Sequence, residues 1–375
     1  MINDTRAYKI AITLLPGVGD VNAKKLIAYC GGIEAVFKEK KTALSKIPGI
    51  SNNLSDKILL QLQSNELWKR VEEEINFCDT FGIQIHSYLD DSYPYRLKHC
   101  EDGPVTLYSL GNIPFNSPCV LSIVGTRSAT HYGKDFCNQL IHDLKEYNLN
   151  VLIVSGLAFG IDIYAHKAAM EQGLPTVAVV AHGLDKLYPP EHRKYAQKMV
   201  ENGGLITEFI SKTIPDKGNF VKRNRIIAGM SDATLVVESK RDGGAMITAE
   251  LAFSYNRDIL ALPGRINDKY SEGTNFLIKL NKAALIENAE DLCKVLGWSY
   301  QKKVEQSAIP LVFELNDDEK KIVDLLKLKG DTTLDILALS AEMPVSKASV
   351  TLLNLEFNGI VKSLPGKVYS LAIKI

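Results

Sequence analysis

Net charge is what this chain most plainly lacks: 44 Lys and Arg residues balance 44 Asp and Glu residues over 375 positions. That excludes a protein that coats nucleic acid by bulk charge, but leaves room for a local basic site. No run of about 18 apolar residues occurs, so no membrane span is expected. The opening MINDTRAYKIAI has no basic stretch followed by an apolar core, and does not read as a secretory signal. The six cysteines are scattered and form no C-x-x-C pair. They read as reduced, mostly buried thiols of a cytoplasmic protein. Neither G-x-G-x-x-G nor G-x-x-x-x-G-K-[ST] is present, which argues against a dinucleotide fingerprint and against a P-loop ATPase. Asp162 and His166 are spaced i, i+4, but no third ligand stands at metal-binding spacing, so neither a metal nor a cofactor is expected.

What is present is ordinary globular composition, 46% hydrophobic and 23% charged, in a length that suits about two or three domains. Residues 1–84 read as all helical. Within them Leu15-Pro16-Gly17-Val18-Gly19 and Ile47-Pro48-Gly49-Ile50-Ser51 repeat a pattern that resembles the helix-hairpin-helix motif, whose tight turn aims backbone N–H groups at an anion. Each copy also reads as a plain turn between helices, the second more so because Ser51 replaces the last glycine. One long helix is expected from Asn53 to Phe81, with Glu72-Glu73-Glu74 on its solvated face.

Residues 85–297 alternate short β-branched runs with helical stretches. Strands are expected at 120–124, 151–154, 176–180, 204–207, 233–237 and 258–261. Alternating strand and helix predicts an α/β domain with an extended Rossmann-like parallel sheet. Its ligands belong at the carboxyl ends of the strands. Residues 298–309 lack periodicity and read as a linker. Residues 310–375 carry three helical stretches and a short hairpin around Pro365-Gly366, which resembles a winged helix. Its third helix, 345–357, holds only Lys347 and Glu356 as charges, few for a helix that reads a DNA groove. Contact with a protein suits it at least as well.

The strand ends carry the chemistry. Gly125-Thr126-Arg127 follows the first strand, where a guanidinium can grip a phosphate bidentately or pair with a carboxylate across the loop. Gly156, Phe159 and Gly160 lie in the glycine-rich loop after the second strand, suited to a phosphate on backbone N–H groups. Lys217, Lys222, Arg223 and Arg225 form the densest basic cluster, with Phe220 and Asn224 inside it. Cations track a nucleic-acid backbone while an aromatic ring stacks on a base. A helix expected to open at Arg223 would oppose that charge with its dipole unless an anion binds there. A solvated basic loop is the plainer alternative. Gly243-Gly244 with Thr248, and Asn275 after Gly273-Thr274, add further turns at helix starts. Repeated at one sheet edge, such loops signal a polyanion or nucleotide ligand.

Taken in order, these residues resemble the DNA-processing protein A family (DprA, also called Smf). The resemblance covers about 93–298. It runs from Tyr93-Pro94 through Val124-Gly125-Thr126-Arg127, Ser155-Gly156-Leu157-Ala158, Gly160-Ile161-Asp162 and Ala165-His166. It continues with Arg223-Asn224-Arg225-Ile226-Ile227-Ala228-Gly229, Ile247-Thr248-Ala249, Pro263-Gly264 and Gly273-Thr274-Asn275. It implies a bacterial cytoplasmic protein, usually dimeric and not an enzyme, that binds and protects single-stranded DNA during natural transformation and helps load the recombinase RecA. The DNA contacts it implies fall on Arg127 with its glycine turn and on Arg223–Arg225. Phe159 departs from the family, where many members have Lys, and Lys282-Ala283 stands where Gly-Ala is usual. A competing resemblance, of Gly243-Gly244 with Thr248-Ala249-Glu250, is to the phosphate-binding loop of LOG-like nucleotide phosphoribohydrolases. Such an enzyme needs an acid/base pair, for which Glu250, Glu208 and Asp162 are candidates.

Overall fold

The computed structural model describes residues 4–301 and 315–372. The chain forms two compact units, divided between residues 303 and 304.

The first unit opens with helices α1 (Thr5–Ala11), α2 (Asp20–Cys30), the one-turn α3 (Ile33–Val36) and α4 (Lys41–Leu44), then α5 (Asn52–Leu62) and α6 (Asn65–Phe81). Leu26, Ile27, Leu44, Ile47 and Ile58 close their core. Both hairpin turns are present, with Gly17 at φ +72° and Gly49 at φ +92°, a backbone that glycine adopts without a Cβ clash. The first hairpin is exposed at Pro16, Gly17 and Gly19, and Lys24 on α2 is engaged within the unit, its ammonium donating to Cys100 O at 2.8 Å and Glu101 O at 3.0 Å. The expected long helix is two, because the Ser64 hydroxyl accepts from Glu66 N and caps a new start. The acidic run divides as well. Glu72 and Glu73 are exposed, but Glu74 is buried and accepts from Arg70 at 2.8 Å and from Ser211 N at 2.9 Å. It fastens α6 to the body of the unit.

A nine-stranded sheet follows. Its strands are β1 (Gln84–Ser87), β2 (Thr106–Asn112), β3 (Val120–Val124), β4 (Leu152–Ser155), β5 (Thr176–Val179), β6 (Gly203–Thr207), β7 (Ala233–Val236), β8 (Asp258–Ala261) and β9 (Ala284–Leu285), in the order β1-β2-β6-β5-β4-β3-β7-β8-β9. From β6 to β9 all pairs are parallel, whereas β1–β2 and β2–β6 are antiparallel. The antiparallel edge is absent from the sequence expectation. Its strands lie where glycine, proline and charge interrupt the apolar runs. Between strands come α7 (Tyr95–Lys98), α8 (His131–Glu146), α9 (Ile161–Glu171), α10 (Arg193–Met199), α11 (Lys217–Gly229), α12 (Gly244–Ser254) and α13 (Glu272–Lys279), and α14 (Ala289–Leu296) follows the last strand. Helices cover both faces. Ile226, Ile227, Ala249 and Ala252 pack on one, and Leu140, Ile141, Ala165 and Leu292 on the other, which is why the central strands are continuous apolar runs. Of the expected linker, Tyr300 stacks on Tyr147 at 4.7 Å between ring centroids; residues 302–309 lie outside the described residues.

The second unit contains α15 (Asp317–Lys329), β10 (Thr332–Thr333), α16 (Leu334–Ser340), α17 (Val345–Phe357), β11 (Val361–Leu364) and β12 (Val368–Leu371). It is a winged helix, with β12 central in a three-stranded antiparallel sheet. Asn316 and Glu319 form a capping box at α15. Lys347, the one basic residue of α17, is paired with Asp318 at 2.6 Å. No single described helix is long and apolar enough to cross a membrane.

Glu74→Ala leaves Ser211 N without its acceptor and Arg70 without its carboxylate, with only Ser211 still accepting from the guanidinium. It is expected to lower stability by about 2–3 kcal/mol, read as a shift in the urea midpoint. A change below about 0.5 kcal/mol, typical of surface sites, contradicts this role.

Candidate functional site

The strand order reverses between β3 and β7: successive strands are added on one side from β3 to β6 and on the other from β7 to β9. A crevice at such a switch point is the standard ligand position in open parallel sheets. Here the two loops are tied together. Thr126 N donates to Glu238 O at 2.7 Å. The Glu238 carboxylate, 1% exposed, accepts from Thr130 N at 2.9 Å and from the Thr130 hydroxyl, and Thr130 caps α8. A Cβ on Gly125 would lie 3.0 Å from Glu238 O across the two loops, and 2.4 Å from Ile161 Cγ1 on α9.

The next loop, Ser155 to Gly160, is shaped from beneath. Leu157 holds φ +60° and Gly160 φ +77°, and a Cβ on Gly160 would lie 2.1 Å from Thr126 O. The Asp162 carboxylate accepts from Gly156 N at 3.2 Å and Ala158 N at 3.4 Å. His166 turns instead to the Thr176 hydroxyl at 2.7 Å, so these two residues do not pair with each other. Burial raises the Asp162 pKa, against the pull of Arg223.

The basic cluster differs most from expectation. Helix α11 begins at Lys217, capped by Asp216, and not at Arg223. The arginines therefore lie beyond the first turn, and the dipole conflict inferred from sequence disappears. Arg223 is 4% exposed. Its guanidinium donates to Gly156 O at 2.7 Å and to Val179 O, bridging the carboxyl ends of β4 and β5. Burial draws its pKa down to about 10, so it stays a cation at neutral pH. Arg225 is also buried and points the other way, to Glu208 at 2.6 Å, Asp20 at 3.0 Å and Asp102 O at 2.6 Å. Lys222 pairs with Glu208 at 2.6 Å. Burial raises the Glu208 pKa despite these two cations. Asn224 lies half-buried between the arginines. The charge that sequence suggested for an outside anion is largely met inside the chain.

What stays open lies just above. Arg127 is exposed and has no ion pair among the described residues. Its guanidinium lies 5.8 Å from the Phe220 ring, and Phe220 is 5.7 Å from Tyr188. Phe159, next to the glycine that abuts Arg127, is 44% exposed and meets His192 edge-on at 4.9 Å. An unpaired guanidinium among partly exposed rings can take a phosphate and stack bases. The remaining expected residues follow β7 and β8. Gly243 caps α12, with Gly244 open to solvent and Thr248 buried. Asn275 is spent on Gly264, donating to its carbonyl at 2.9 Å and accepting from its N–H at 3.2 Å. Sequence reasoning missed Tyr188 and Glu238. The Tyr188 signal was the dense aromatic and basic stretch Leu187-Tyr188-Pro189-Pro190-Glu191-His192-Arg193-Lys194-Tyr195.

A family model described as DNA recombination-mediator protein A matches residues 84–297, and one described as the DprA winged helix domain matches residues 306–367. Protein Smf of Synechocystis is 30% identical over 404 aligned positions, which span 98% of this chain and 99% of that protein. The X-ray structure of DprA from Streptococcus pneumoniae superposes with a TM-score of 0.66 at 30% identity, over 77% of this chain and 97% of that one. DNA processing protein A from Helicobacter pylori, whose structure is described for its single-stranded DNA binding mode, superposes with a TM-score of 0.53 at 30% identity, over 59% and 98%.

Arg223→Gln removes the buried cation that joins two strand ends and faces Asp162. A loss of about 2–4 kcal/mol in chemical denaturation is expected. Stability within about 0.5 kcal/mol of the parent would mean that the guanidinium does not hold the loops.

Proposed function

The chain belongs to the DNA-processing protein A (DprA/Smf) family, and from that membership we propose that it binds single-stranded DNA along the carboxyl edge of β3 to β6. In the cytoplasm it protects incoming strands during natural transformation and hands them to the recombinase RecA. The observation that carries this reading is Arg127, unpaired among the described residues and set among Phe220, Tyr188 and Phe159. Rings at this density suit splayed bases better than a stacked duplex. The mediator role draws on the family description, DNA recombination-mediator protein A. Homodimerisation draws on the β9 edge, where Phe253, Leu280 and Leu285 leave apolar surface exposed.

The competing hydrolase reading needs a free acid/base pair, and its candidates are engaged. Glu208 is held by Arg225 and Lys222, Glu250 by Lys282 at 2.8 Å, and Asp162 by backbone N–H groups under the loop. Binding without turnover fits these contacts better.

At about 0.15 M salt the protein should bind single strands in preference to duplex of the same length, measured by fluorescence anisotropy. Equal affinity for the two would reduce the interaction to phosphate attraction. Arg127→Ala should weaken single-strand binding by about 1–3 kcal/mol and flatten the plot of log K against log salt by roughly 0.7, with the melting temperature unchanged. Unaltered affinity would overturn the assignment.

A further inference from the structure

We propose that the bound strand continues beyond the strand-end pocket, over the opening turns of α8, α9 and α10, on a track of alternating rings and ammonium groups. This rests on the single-strand reading and extends it to a second subsite.

The track begins at the pocket itself. Phe159 touches His192, and His192 meets the Tyr195 ring edge-on at 6.3 Å between centroids. The Lys167 ammonium lies 4.5 Å from the Tyr195 ring and 5.2 Å from the Tyr164 ring. The Lys134 ammonium lies 4.8 Å from the far end of that series, the Tyr164 ring. These residues come from three separate helices. Helices α8 and α9 follow the carboxyl ends of β3 and β4, and α10 follows the longer connection from β5; the ring contacts bring their early turns together. Tyr164, Tyr195, Lys134 and Lys167 are all half-buried, neither sealed in the core nor extended into solvent.

Two features separate this array from ordinary surface packing. The first is charge. Lys222 and Arg225 are held by Glu208 and Asp20 and Arg223 by two strand-end carbonyls, whereas neither Lys134 nor Lys167 has an ion pair with a carboxylate among the described residues. Among the described residues, positive charge near the pocket without a carboxylate partner therefore lies along α8 and α9, and at the exposed Lys217 that opens α11. The second is order. A lysine laid over a ring has given up much of its side-chain freedom before a ligand arrives, so less entropy is lost when a phosphate binds. Rings with cations between them are the pattern that holds a single strand without reading its sequence. The series is long enough for on the order of four further nucleotides, within the range for single-strand grooves.

The test is affinity as a function of strand length in the full chain. Oligothymidylates of about six and about fifteen nucleotides are titrated over a salt series against the parent and the double variant Lys134→Gln, Lys167→Gln. The parent should bind the longer strand more tightly, beyond the gain from counting registers. In the variant, long-strand affinity should fall about tenfold and its salt slope should flatten by about 1.4, while short-strand affinity and melting temperature hold. Tyr195→Leu, which keeps an apolar side chain, should weaken only the long strand and leave the slope unchanged. Equal loss on both lengths, or no loss on either, overturns the track. A parent that binds the short strand but gains nothing from length also removes the track and leaves the pocket reading standing. A parent that binds neither removes both.

Discussion

One buried guanidinium organises the candidate site. Arg223 comes from a helix on one face of the sheet and reaches the carbonyl ends of two strands, at Gly156 just past β4 and at Val179 on β5. A charge in that position needs fixed dipoles and a counter-charge, and it has both in those carbonyls and in Asp162 beneath the loop. The glycine at 156 follows from this, because a Cβ there would lie 2.5 Å from the guanidinium. The loop then rises over Arg223, carries Phe159 to the surface, and brings Gly160 against the backbone of Arg127. Local geometry at the pocket is thus set by a cation that is itself almost wholly buried.

The division of labour among basic residues has a simple electrostatic form. With zero net formal charge, the chain has little long-range field to attract DNA. On the proposed single-strand reading, affinity comes from a few cations left without carboxylates and held in place. Arg127 over Phe220, and Lys134 and Lys167 over Tyr164, are of this kind. Lys222 and Arg225 are not, since Glu208 and Asp20 take their charge and fasten the helical module to the sheet.

Much of the fold was legible in the sequence because β-branched runs and glycine turns mark buried parallel strands strongly; β3 and β8 fall where the pattern puts them. The antiparallel strands β1 and β2 were not legible, as their pairing with β6 is a tertiary matter that short mixed segments do not announce. Arg127 and Phe220, both singled out in the sequence, lie together, with Phe159 next to the glycine that abuts Arg127. Arg223 and Arg225 look alike there but face opposite ways on one helix, about 200° apart, each to acceptors from distant parts of the chain. Sequence locates charge but does not reveal whether a partner already neutralises it.

The most direct measurement is a map of contacts in the complex itself. Ultraviolet crosslinking of oligothymidylate to the full chain, followed by mass spectrometry of the crosslinked peptides, should return the peptides that contain Phe159, Tyr188 and Phe220 at the carboxyl edge of the sheet. Crosslinks confined to α17 of the winged helix or to the hairpins of the helical module would contradict the account.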